Sequence, residues 1–220
     1  VPHNLTAQQL SAFEALHSPP RFATYLRETQ GDRSRAAELC IWNTEVSAAF
    51  YSILQYCEVA VRNAAVEAVE AEFGPNWHLN RGFGHVLAPA KGRYSPQKDL
   101  QNCASAHATA GKVVAELKFA FWQYLFIKGL DGRLWTSHFA NIFPGYDTSL
   151  SIKAARAKVH SDLEIIRHFR NRVAHHEPIF ARNLPDDRDR ILNLVSWRRP
   201  NLSAWMQQFE RVSALLQARP

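Results

Sequence analysis

Residues 32–74 read DRSRAAELCIWNTEVSAAFYSILQYCEVAVRNAAVEAVEAEFG, and their periodicity decides the fold class. Leu39, Trp42, Val46, Phe50 and Ile53 recur at intervals of three and four, and Leu54, Cys57 and Val61 extend the series. That spacing collects them on one face of a helix. Asp32 supplies an N-cap, and Gly74-Pro75 ends the pattern, since proline cannot continue a helix and glycine tolerates the turn beyond it. The stretch reads as one long helix whose apolar stripe is a core contact. Thr44, Tyr51, Gln55, Glu58 and Arg62 form a second, polar stripe at the same spacing on a different face.

The rest of the chain repeats the helical period. Thr6 with Gln9 forms a capping-box pattern opening a helix to about His17, and Pro19-Pro20 restarts the chain into a helix closed by Gly31. Gly111 to Lys128 is strongly apolar and helical, with Val113, Val114, Leu117, Phe121 and Leu125 inside. LWTSHFANIFPGY (134–146) reads as a connector. A helix from about Thr148 to Arg172 carries Leu150, Ile152, Ala155, Val159, Leu163 and Ile166. Another runs from Pro185 to about Trp197, and Asn201 is placed to cap a last one to about Leu216. Strand-like alternation and internal repeats are absent, so the expected class is all-α over a single domain, 1–220. Residues 74–110 form its irregular insertion.

Composition bounds the function. The 220 residues are 46% hydrophobic and 21% charged, values of a chain that packs a core. Polar residues such as Gln123 and Lys128 interrupt every apolar run before a bilayer span, and VPHNLTAQQLSAF lacks the pattern of a secretory leader. A cytoplasmic protein without membrane contact is expected. Cys40, Cys57 and Cys103 lack CxxC spacing and read as free thiols. The charge of +6 is uneven: Lys and Arg number 5 against 9 Asp and Glu in residues 1–80, then 8 against 4 in 81–150 and 13 against 7 in 151–220. A basic carboxy-terminal two thirds attracts polyanions, nucleic acid foremost. Phosphate-loop and nucleophile-elbow motifs are missing, and His175-His176-Glu177 lacks zinc spacing, so neither cofactor nor metal is expected.

The sharpest chemical constellation is FRNRVAHHEPIF, residues 169–180. Arg170 continues the stripe of Leu163 and Ile166, a costly place for a guanidinium unless an anion meets it. Glu177 precedes a proline, so the helix ends near His175 or His176. An always-charged fork, the Asn171 amide and an imidazole within six positions can hold a phosphate and move a proton. Glu58, four residues before Arg62, has two readings: an intrahelical pair, or a carboxylate that orients Arg170 or His175 across the helix interface. In the insertion GPNWHLNRGFGHVLAPAKGRYSP (74–96), Lys91, Arg93 and other bases alternate with Trp77, Phe83 and Tyr94. The interleaving suits single-stranded RNA and equally a solvated insertion.

R-N-x-x-x-H at a helix end resembles the R-x(4–6)-H signature of the HEPN superfamily. With LCIWNTEVSAAFYSILQYCEVAVRNAAVEAVEAEFGPNW (39–77) upstream, the chain is similar to the Abi-like (AbiD/AbiF-type) branch of that superfamily. The resemblance implies a HEPN-type helical bundle with extra helices and metal-independent endoribonuclease chemistry at a homodimer interface. It also implies a toxin or abortive-infection setting in phage defence, with an antitoxin or phage-derived trigger. By matching position, Arg170 contacts the phosphate, Asn171 orients the motif and His175 transfers protons, with His176 also fitting the spacing. Glu58, Arg62 and Asn63 are expected to support the motif, and Arg172 and, from the interleaving of the insertion, Lys91, Arg93 and Tyr94 are the candidate RNA contacts. The alternative is a non-catalytic RNA- or protein-binding module using the same interface.

Overall fold

A computed structural model describes residues 5–87 and 94–220. Among them there is no strand, and the all-α expectation holds. The helices are α1 (Ala7–His17), α2 (Pro19–Glu28), α3 (Arg33–Phe73), α4 (Arg81–Val86), α5 (Pro96–Ala106) and α6 (Ala110–Glu116). They continue with α7 (Phe119–Tyr124), α8 (Phe139–Ile142), α9 (Ile152–Ala174), α10 (Leu184–Arg198), α11 (Pro200–Phe209) and α12 (Val212–Gln217). None is long and apolar enough to cross a membrane.

α3 is the organising element. Its 41 residues extend about 60 Å at 1.5 Å per residue, and α2, α7, α9, α10 and α12 all pack on it. Asp32 caps it by accepting from the Arg35 N–H at 3.0 Å. The whole apolar stripe from Leu39 to Val61 is buried. α9 crosses α3 with Phe50 and Phe169 meeting edge to face at 4.7 Å between ring centres, a geometry the ring quadrupoles favour.

Several boundaries differ from the sequence reading. The apolar run 111–128 is two helices broken at Leu117 and Lys118, whose extended backbone turns the chain so that both Val113 and Phe121 reach the core. Within the 74–110 insertion the described residues include α4 and α5, capped by Asn80 and Ser95, and its Trp77 and Phe83 are core residues with no exposed surface. α9 begins at Ile152 because Ser151, not a residue near Thr148, accepts from the Ala154 N–H. Asn201 does not cap the last helix: Arg199 is the N-cap, Pro200 takes the first position and the helix starts two residues earlier, and a break at Glu210–Arg211 separates α11 from α12.

The 126–135 segment is fixed to α9 by a buried ion pair. Arg156 Nε donates to Asp131 Oδ1 at 2.6 Å, one Nη to Oδ2 at 3.1 Å and the other to the Phe126 carbonyl at 3.0 Å. A π turn over Asp131–Trp135 follows, and the Trp135 indole donates to Leu125 O at 2.7 Å.

Gly145 docks the loop after α8 against the end of α10. Its N–H donates to Trp197 O at 2.9 Å, and a Cβ there would lie 2.5 Å from Ser196 O and 2.8 Å from Pro200 Cγ. Gly145→Ala is therefore expected to destabilise the chain by about 1–3 kcal/mol. A urea midpoint equal to the wild type's would refute that.

Candidate functional site

The polar stripe of α3 and the last turns of α9 face each other and line adjoining hollows. In the first, of about 410 Å³, Arg170, Arg167 and Asn171 from α9 oppose Glu58 and Arg62 from α3, with Lys118 entering from the α6–α7 break. A smaller hollow of about 180 Å³ joins Tyr51, Gln55, Glu58, Arg62 and Arg170. Four cations thus surround one carboxylate, which makes this a positively charged cleft.

Arg170 is placed by Glu58. Its Nε donates to Glu58 Oε1 at 3.0 Å, with 39% of the Arg170 side chain exposed, and among the described residues its two Nη groups have no partner. Phe169 and Val173 take the buried side of α9, so Arg170 lies at the stripe's edge and not within it. Of the two readings for Glu58, the cross-helix one is realised, toward Arg170. The intrahelical Glu58–Arg62 pair does not form among the described residues, because the carboxylate is turned to α9. Arg62 is left with its Nε buried and unpartnered in the cleft wall. A buried N–H without an acceptor costs free energy that an incoming anion would recover.

The remaining candidates separate. Asn63, one residue past Arg62, is exposed and outside the cleft. Arg172 turns onto its own chain, donating to Pro178 O at 2.6 Å and approaching Glu177 at 3.6 Å, so it secures the turn after α9. Tyr94 is half-buried and donates to Asp99 Oδ2 at 2.8 Å, which occupies the hydroxyl expected to serve RNA. Lys91 and Arg93 lie outside the described residues. Arg167 and Lys118, which the motif reading did not single out, complete the cleft. Arg167 precedes Arg170 by three, the spacing of one helix face, and that signal was available. Lys118 comes from a distant break that no local pattern announces.

His175 and His176 close α9. His175 is the C-cap, its N–H donating to Asn171 O at 2.9 Å and its carbonyl accepting from Arg21 at 3.2 Å, with the residue exposed. His176 adopts φ 56°, and the bonds His176 N–H to Val173 O and Glu177 N–H to Arg172 O complete a Schellman turn. Glycine is the usual residue there, since a Cβ is strained in that conformation. His176→Gly is accordingly expected to stabilise the fold by about 1 kcal/mol, seen as a raised urea midpoint. An unchanged or lowered midpoint would show that the imidazole contributes contacts outweighing its strain.

His176 lines a second cavity of about 410 Å³ between α2, α3 and the end of α9, which shares Tyr51 with the smaller hollow. The chain thus gathers Arg170, Asn171, Glu58 and Arg62 in the cleft and carries His176 on the far side of Tyr51. His175 lines neither hollow. Among the described residues no group of three or more His, Cys, Asp or Glu side chains converges as metal ligands. Cys40 and Cys57 are buried free thiols and Cys103 is half-buried; burial pushes the thiol pKa of each upward, away from nucleophilic use at neutral pH. No protein-family model, curated protein or solved structure matches the chain.

Proposed function

We propose that this chain is a metal-independent endoribonuclease of the HEPN type, acting as a homodimer in an abortive-infection or toxin-type role. The observation that carries the reading is the state of Arg170. Its guanidinium is fixed at Nε by Glu58, has both Nη groups without a partner among the described residues, and sits among Arg62, Arg167 and Lys118. A fork pre-positioned in a multiply cationic cleft suits a phosphodiester.

In the proposed reaction a base takes the proton of the ribose 2′-OH, and the 2′-oxygen attacks phosphorus. The bond from phosphorus to the 5′-oxygen breaks, and that oxygen receives a proton. The products are a 2′,3′-cyclic phosphate and a 5′-hydroxyl. Arg170 stabilises the charge on the phosphorane oxygens. His175, exposed at the helix end, supplies one proton transfer, and the symmetry-related His175 of a second copy supplies the other. The toxin setting and its antitoxin or phage-derived trigger rest on the Abi-like resemblance.

The test is incubation of the purified chain with total RNA in excess EDTA. Fragments ending in 2′,3′-cyclic phosphate are expected, and their absence with and without co-expressed partner proteins would overturn the reading. One observation favours a second reading, a non-catalytic RNA-binding module: both imidazoles lie outside the cleft that holds Arg170. Retention of RNA on the protein without cleavage is its signature.

A further inference from the structure

We infer that the cavity beyond Tyr51 is a nucleobase pocket that selects which RNA residue is presented to Arg170; this rests on the ribonuclease reading and adds a specificity determinant to it. The cavity is about 410 Å³, within the range of small-molecule sites, and most of its wall is apolar. Several lining residues carry polar groups, and three of these differ in kind and bear on the argument.

Asn43 is the strongest observation. It is 4% exposed, and its Oδ1 accepts from the Ile179 N–H at 2.8 Å. That bond fixes which end of the amide is oxygen, so Nδ2 is the group Asn43 has left to offer, and among the described residues it donates to nothing. In the same lining, His17 Nδ1 donates to the Phe13 carbonyl at 2.8 Å, which leaves Nε2 as the ring nitrogen that accepts in the unprotonated imidazole. Ser47 Oγ, which can donate or accept, is also without a partner among the described residues. A donor, an acceptor and a hydroxyl set in apolar walls match the edge of a planar heterocycle.

The surroundings say what the heterocycle is attached to. Tyr51, 57% exposed, is the wall common to this cavity and the smaller hollow that Arg170 also lines, and its ring offers a stacking face. Arg21 stands at one side of the cavity, and Arg62 and Arg170 stand past Tyr51. A ring-shaped pocket between cations fits a base whose sugar continues into phosphates. The strained backbone of His176 is what carries its imidazole to this cavity.

The experiment titrates the full chain with AMP, GMP, CMP and UMP by calorimetry. One nucleotide is expected to bind roughly tenfold or more tightly than the weakest, because a buried polar group left unpaired penalises the wrong base edge. Ser47→Phe, which fills the cavity from a half-buried position, should abolish that ranking. Asn43→Asp keeps the acceptor for Ile179 and replaces the donor by an acceptor, so it should reorder the four. Arg170→Ala should weaken all four alike and keep their order. Four equal affinities, a ranking that survives Ser47→Phe, or a ranking lost in Arg170→Ala would each overturn the proposal. Ranked binding without RNA cleavage would retain the pocket and remove the nuclease. Cleavage whose base preference ignores Ser47→Phe would retain the nuclease and remove the pocket.

Discussion

Arg170→Ala is expected to slow RNA cleavage in EDTA by about 10²–10³-fold, the cost of removing one pre-positioned donor from a developing oxyanion. The fold should hardly notice. The Arg170–Glu58 pair is more than a third exposed on the arginine side, and pairs of that kind contribute roughly 0–1 kcal/mol. Separation of the two readouts is the point: cleavage collapses while the urea midpoint stays within about 1 kcal/mol of the wild type. Arg170→Lys should recover only part of the rate, because an ammonium keeps the charge but not the planar fork that Glu58 orients. Cleavage by Arg170→Ala within twofold of the parent would place the chemistry elsewhere.

Removing Arg156 has the opposite profile. Its side chain is 7% exposed, and it satisfies both oxygens of Asp131 and the Phe126 carbonyl. Arg156→Ala abandons a buried carboxylate, which costs about 3–5 kcal/mol. The double variant Asp131→Leu/Arg156→Met removes the unpaired charge as well and should regain most of that loss. Chemical denaturation of the parent, Asp131→Leu, Arg156→Met and the double variant gives the coupling directly. A single variant as stable as the parent would mean that water reaches Asp131 and that the 126–135 segment does not depend on this pair.

These cases show where sequence is readable. The α3 stripe was legible because both ends carry local chemistry, an Asp cap and a Gly-Pro stop, and because forty residues of period average out exceptions. The break at Leu117–Lys118 has no such marker. It arises because the chain must turn for Val113 and Phe121 both to be buried, and a tertiary demand leaves no local residue signal. Glycines and prolines in 74–96 suggested irregularity, although Asn80 and Ser95, with Pro96 behind it, were available as starts of α4 and α5.

The same division holds for the site. Arg170 and Asn171 are marked by the R-N-x-x-x-H resemblance and Glu58 and Arg62 by their spacing of four, and the polar stripe from Thr44 to Arg62 lines the hollows. Lys118, His17, Arg21 and the Asn43–Ile179 bond were hidden, since each depends on segments distant along the chain. The Arg156–Asp131 pair carries no local signal for that reason too: 25 residues separate partners that no motif links.

The length of α3 has a consequence for how the molecule comes apart. α2, α7, α9, α10 and α12 all rest on one uninterrupted rod, so loosening at either end is communicated along a shared beam. The slowest-exchanging backbone amides should therefore cluster at its middle, around Phe50 to Val61, and become labile together when the chain melts as one cooperative unit.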